Sequence, residues 1–173
     1  MPKERPTITS AAATPAGWSS ERSAELYGIN TWGAGYFDLS EQGEAQVNVD
    51  FGEHQVAVSI MDIVLGMRAR GLHMPAVLRI RNLLDHRIKL LNESFAQAIE
   101  QGGYQNTYRG VFPIKVNQQC HVIEEIADYG RRYHHGFEAG SKAELIIALS
   151  QLKDHDSLIV CNGYKDAEFI DLG

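Results

Sequence analysis

The sequence predicts an α/β fold built from parallel strand–helix units, and three observations predict it. From Pro75 onwards, short runs rich in Val, Ile and Leu alternate with segments of helical period. The 173 residues are 44% hydrophobic, enough for one ordinary core. Charged or polar residues interrupt every apolar segment before it reaches the roughly 20 residues needed to span a bilayer, so a soluble globular protein is expected.

The elements follow in order along the chain. The first twenty residues are small and polar, contain Pro2, Pro6 and Pro15, and lack the apolar run of a secretory signal. Residues 1–22 are therefore expected to be a disordered leader. In residues 23–74, Tyr36–Leu39 and Ala45–Val49 flank the turn-like Glu41-Gln42-Gly43-Glu44 and predict a β-hairpin. Between Ser59 and Arg70, Ile60, Ile63, Val64 and Met67 recur at the spacing of one helix face, and Gly71 supplies a stop.

Residues 75–173 hold the alternating units. Strand Ala76–Ile80 precedes a long helix carrying Leu84, Ile88, Leu91, Phe95 and Ile99. Strand Tyr108–Val116 precedes helix His121–Tyr129, and strand Gly136–Ala139 precedes helix Lys142–Leu152. Strand Ser157–Cys161 follows, and a last helical pattern from Asp166 to Leu172 breaks off at Gly173 without a cap, as expected of a truncated chain. Strands joined by helices of this length imply parallel pairing with at least one covered face. About four units are half of an eightfold barrel or most of an open doubly wound sheet, and periodicity does not separate the two.

Charge and motifs narrow the function classes. With 16 basic and 22 acidic residues, the net charge of −6 disfavours nucleic acid and anionic membrane as partners and leaves small molecules. Cys120 and Cys161 are far apart and form no CxxC pair, so neither a disulfide scaffold nor a zinc ribbon is suggested and a reducing cytoplasm fits. His86, His121, His134 and His135 have no zinc-site spacing with a third ligand and read as surface or interface histidines. Walker, dinucleotide-binding and nucleophile-elbow motifs are missing.

Two residues stand out. A period of two along Phe112–Asn117 puts Phe112, Ile114 and Val116 on an apolar face and Val111, Pro113 and Lys115 on the other. Lys115 then lies near the carboxyl end of its strand, where α/β proteins build sites, or snorkels to water at the sheet edge. Pro113 conflicts with a central strand, which needs its ladder N–H. Glu138 is a carboxylate in an otherwise apolar strand; it either takes a cationic partner, for which Lys115 is the candidate, or points to the surface. Ser141 and Glu144 make an S-x-x-E capping box for the following helix.

Three runs in order, Tyr108-Arg-Gly-Val-Phe-Pro-Ile-Lys-Val-Asn117, Gly136-Phe-Glu-Ala-Gly-Ser-Lys-Ala-Glu-Leu145 and Ile159-Val-Cys-Asn-Gly-Tyr-Lys-Asp166, together resemble the biosynthetic arginine decarboxylases. Tyr27-Gly-Ile-Asn-Thr-Trp-Gly33 with Tyr36 and Phe37 extends the likeness almost to the leader. Ornithine and diaminopimelate decarboxylases and alanine racemases are similar only around the lysine. The resemblance implies the first half of a pyridoxal-phosphate (PLP)-binding (β/α)8 barrel of the TIM type in residues 75–173, preceded by the hairpin segment. It implies that Lys115 holds PLP as an internal Schiff base, that Glu138 is an acidic cofactor-binding position, and that Mg2+ is required, although no metal ligands are assignable. The activity implied is decarboxylation of L-arginine to agmatine and CO2, feeding putrescine and spermidine synthesis, in a cytoplasmic homo-oligomer. Members of the family are several times longer, so this chain is expected to be an inactive amino-terminal fragment. The alternatives are a decarboxylase of the same fold acting on ornithine, lysine or diaminopimelate, and a non-catalytic PLP-binding barrel protein.

Overall fold

The computed structural model describes residues 17–51 and 54–173. Most of the expected leader lies outside these residues, but its end is ordered: α1 (Ser20–Leu26) begins at Ser19, whose side chain accepts the Arg22 N–H as an N-cap. Contacts divide the chain into two units at Ala76/Val77.

In the first unit, α1 is followed by the single turn α2 (Ile29–Trp32) and by strands β1 (Phe37–Leu39), β2 (Ala45–Phe51) and β3 (His54–Ser59). The strands form an antiparallel sheet in which Phe37 faces Val47 and Val49 faces Val56. The expected hairpin is thus β1–β2, and β3 extends it. The alternation of Val56 and Val58 was the available signal for this third strand, but it is short and flanked by polar residues. Helix α3 (Ile60–Ala69) starts on Ser59, which accepts the Asp62 N–H and also donates to Glu44 Oε2, so one hydroxyl caps the helix and ties it to the turn before β2.

In the second unit, α4 (Arg81–Gly102) leads into β4 (Val111–Pro113), α5 (Cys120–Gly130), β5 (Gly136–Ala139), α6 (Lys142–Gln151), β6 (Ile159–Cys161) and α7 (Ala167–Leu172). The strands form a parallel sheet in the order β4-β5-β6, with Phe112 beside Phe137 and Phe137 beside Ile159. Phe137, fully buried, meets Ile88 of α4, Ile123 and Ile126 of α5, Ile114 and Ala148 of α6 in one core cluster. Each isoleucine and phenylalanine of this cluster contributes about 1.5–3 kcal/mol on burial. Ala139, Leu145 and Phe169 form a smaller cluster that seats α7.

Three expectations change. Residues 76–80 take no regular secondary structure and form no ladder, because a strand exists only with a neighbour and none of the described residues pairs with this segment. On α4, Ile88 and Asn92 are buried, whereas Leu91 and Phe95 stay exposed, with Phe95 stacked on Tyr108 at a ring separation of 4.0 Å. Of the strand expected over Tyr108–Val116, only Val111–Pro113 pairs as a strand, and a 3-10 turn spans Ile114–Val116. Pro113 has no N–H for the ladder and ends it, so the period-two assignment of faces does not reach Lys115.

Candidate functional site at the carboxyl ends of the parallel strands

The 3-10 turn after β4 decides where Lys115 goes. Ile114 turns fully inward to the core while Val116 is exposed, which leaves Lys115 over the carboxyl end of the sheet with its side chain 59% exposed. Its Nζ donates to Glu138 Oε1 at 3.0 Å. Glu138 is on β5 in register with Pro113, the last residue of β4, so two adjacent parallel strands deliver an amine and a carboxylate to one point. Glu138 is the more buried partner, with a side chain 22% exposed. A carboxylate that far from water needs donors, and the pairing supplies one.

A third strand contributes as well. Asn162 follows β6, and its Nδ2 donates to the same Glu138 Oε1. Its backbone N–H donates to the Ala139 carbonyl at 3.0 Å, which extends the β5–β6 ladder by one residue and fixes where the side chain starts. Asparagine followed by glycine reads in sequence as a turn, and Gly163 is indeed left-handed with φ +72°, so Asn162 carried no sign of a site role.

The loop between β5 and α6 closes the same end. Ser141 accepts the Glu144 N–H, and Glu144 Oε2 accepts the Gly140 N–H at 2.8 Å, a reciprocal cap shifted by one residue from the usual box. Lys142 reaches from the start of α6 to Glu168 Oε2 at 2.5 Å and Asp166 Oδ2 at 2.9 Å. These bonds, to Glu168 first and then Asp166, hold the Lys142 ammonium above its ordinary pKa. Lys142 hydrogen bonding, seconded by the Phe169 N–H, pushes the Asp166 carboxyl down. Lys142 is thereby committed to tying α6 to α7, whereas Lys115 donates to Glu138, whose Oε1 also accepts from Asn162.

The donor set fits a pyridoxal aldehyde: a primary amine exposed at the mouth of the sheet and oriented by a carboxylate that is itself held from the other side. A metal has less support there. The His134, Asp154 and Asp156 side chains converge enough to hold an ion, but they precede β5 and β6 and so lie at the amino ends of the strands, opposite Lys115. Cys120 and Cys161 are free thiols. Among the described residues, no helix is long and apolar enough to cross a membrane.

Residues 87–172 match the family model of the pyridoxal-dependent decarboxylases, pyridoxal binding domain. The biosynthetic arginine decarboxylase of Gloeobacter violaceus is 46% identical over 154 residues, 89% of this chain and 24% of the relative. That of Thermosynechococcus vestitus is 42% identical over the same shares. The crystal structure of the biosynthetic arginine decarboxylase SpeA from Campylobacter jejuni superposes with a TM-score of 0.76 at 33% identity, covering 85% of this chain and 24% of that one. The parallel units therefore have the α/β architecture of a PLP-binding barrel, of which three strands are described. The chain spans about a quarter of the length of the relatives it matches, and it belongs to the pyridoxal-dependent decarboxylases as a homologue of the biosynthetic arginine decarboxylases.

Proposed function

We propose that this chain is the cofactor-lysine portion of a longer PLP-dependent enzyme that decarboxylates L-arginine to agmatine and CO2. The observation that carries the reading is the 3.0 Å contact of Lys115 Nζ with Glu138 Oε1 at the carboxyl ends of adjacent parallel strands. Parallel α/β folds build their sites at that end. Arginine as the substrate is supported by the names of relatives 42–46% identical over most of the chain.

In this reading Lys115 supplies the amine that carries the cofactor and gives it up to the incoming amino acid. PLP, when bound, supplies the electron sink that makes loss of an α-carboxylate feasible. Glu138 holds the Lys115 amine over the sheet, and after displacement that amine stays within reach to move a proton at the α-carbon. Magnesium, implied by the resemblance, enters only as a requirement of the complete protein. An ion at His134, Asp154 and Asp156 would sit at the wrong end of the sheet to act on the reacting carbon. A cytoplasmic homo-oligomer serving putrescine and spermidine synthesis completes the proposal.

The test is release of labelled CO2 from carboxyl-labelled arginine by the complete protein supplied with PLP, compared with its Lys115→Ala variant. Release that requires Lys115 is expected. Release from ornithine, lysine or diaminopimelate but not arginine would keep the chemistry and change the substrate. Silence on all four substrates would leave a non-catalytic PLP-binding barrel.

A further inference from the structure

We infer that Asn162 is a positioning residue that fixes the Glu138 carboxylate against the Lys115 amine, and that Gly140 is glycine in order to leave Asn162 that place. The inference rests on the assignment of Lys115 and Glu138 to the cofactor site and adds a residue from a third strand.

Glu138 Oε1 accepts from two donors, Lys115 Nζ and Asn162 Nδ2. Since a carboxylate only accepts, the side-chain amide must turn its NH2 to Glu138 and its carbonyl oxygen away. That carbonyl oxygen points at Gly140: a Cβ built on Gly140 would stand 2.5 Å from Asn162 Oδ1. Gly140 has an ordinary φ and donates its N–H to Glu144 Oε2, so its lack of a side chain is not explained by backbone conformation. The close approach explains it. The backbone end of Asn162 is fixed as well, because its N–H donates to the Ala139 carbonyl at 3.0 Å.

This clamp matters to the chemistry because of what Lys115 must do. When the amine leaves the carboxylate to take up or release a cofactor, Glu138 loses one of its two donors. Asn162 retains the other, so the carboxylate keeps its rotamer and the amine returns to the same point. A site held within about half an ångström depends on such supporting contacts.

The experiment uses the complete PLP-loaded enzyme and its Asn162→Asp, Asn162→Ala and Gly140→Ala variants, with Lys115→Ala as the control for the site itself. Asn162→Asp has the same shape but sets a second carboxylate on Glu138. It should move the acid limb of the kcat/KM profile and the pH titration of the cofactor's visible absorbance upward by about one unit. Asn162→Ala should lower kcat about tenfold with KM changed less, as for loss of a hydrogen bond to a charged group. Gly140→Ala keeps the amide but crowds its oxygen, and a fall in kcat in the same direction is expected. Variants that lose thermal stability yet keep the wild-type kcat and pH profile would show a merely structural contact and overturn the inference. If those profiles stay wild type while Lys115→Ala loses borohydride-trappable cofactor, the clamp fails and the site stands. If Lys115→Ala keeps trapped cofactor and turnover, both fail.

Discussion

Asp85 lies one turn of α4 beyond Arg81, and Arg81 pairs across to Glu125, a nearly buried carboxylate of α5. Asp85 Oδ1 is buried without a hydrogen-bond partner among the described residues. Burial, seconded by hydrogen bonding and repulsion from Glu125, pushes the Asp85 carboxyl up to about 6, with Arg81 and Arg132 opposing the rise. A carboxyl raised in the folded state prefers its neutral form there. Its stabilising contribution is full below the ordinary value of 3.8 and is lost as pH climbs through about 6. Burial lowers the His135 pKa below 6.5, and this acts in the opposite sense: its contribution is present above that value and is lost as pH falls. Asp85→Asn separates the two. We expect the variant to match the wild type in acid and to melt higher above about pH 6. Thermal denaturation of both proteins across that range is the measurement, and a difference that did not change with pH would remove Asp85 as its source.

At the scale of elements, β5 carries the parallel sheet because both its neighbours are strands, and its first residue shows how closely they approach. A Cβ on Gly136 would stand 1.9 Å from the backbone oxygen of Leu158, which accepts the Phe137 N–H at 3.0 Å. Neither atom can move without opening the β5–β6 ladder. Gly136→Ala should therefore destabilise the protein by about 1–3 kcal/mol or more, read as a lower denaturation midpoint and faster amide exchange at Phe137. Ser141→Ala, by contrast, removes only the cap of α6 and should cost about 1 kcal/mol. Equal losses for the two would contradict this ranking. The helices from α3 onwards were legible because their signals are local, and Ser141 caps as its S-x-x-E spacing predicts; α1, α2 and the caps at Ser19 and Ser59 were not read. Pro113 was legible as a conflict but not as the residue that ends β4 and turns the chain so that Lys115 lies above it. The contact of Lys115 with Glu138 was expected on charge alone, as one of two readings of Glu138. Asn162 was out of reach, since its role depends on a neighbour 24 residues away and on the absence of a side chain at Gly140.

For the whole molecule, the decisive fact is how much of a site three strands can supply. In the order β4-β5-β6 neither outer strand has a further strand partner among the described residues, and apolar side chains on and beside the sheet remain open: Val160 is 42% exposed, Ile146 53% and Ile170 63%. Unpaired parallel edges next to such surface favour association with further copies of the chain. The site shares this incompleteness. Lys115, Glu138 and Asn162 place and hold an amine, but decarboxylation also needs the cofactor ring fixed and the bond to the α-carboxylate aligned with it. A misplacement of about 1 Å in such a site costs about a hundredfold in rate. The 173 residues by themselves are therefore expected to release no CO2 from arginine, and to form aggregates whose light scattering rises with concentration. Added PLP should be trapped by borohydride at Lys115 to no greater extent than at exposed lysines such as Lys153. Selective trapping at Lys115 without turnover would show that the three strands already build the cofactor end of the site. Turnover that disappears with Lys115→Ala would show that they build all of it, and the proposed dependence on a longer chain would have to be abandoned.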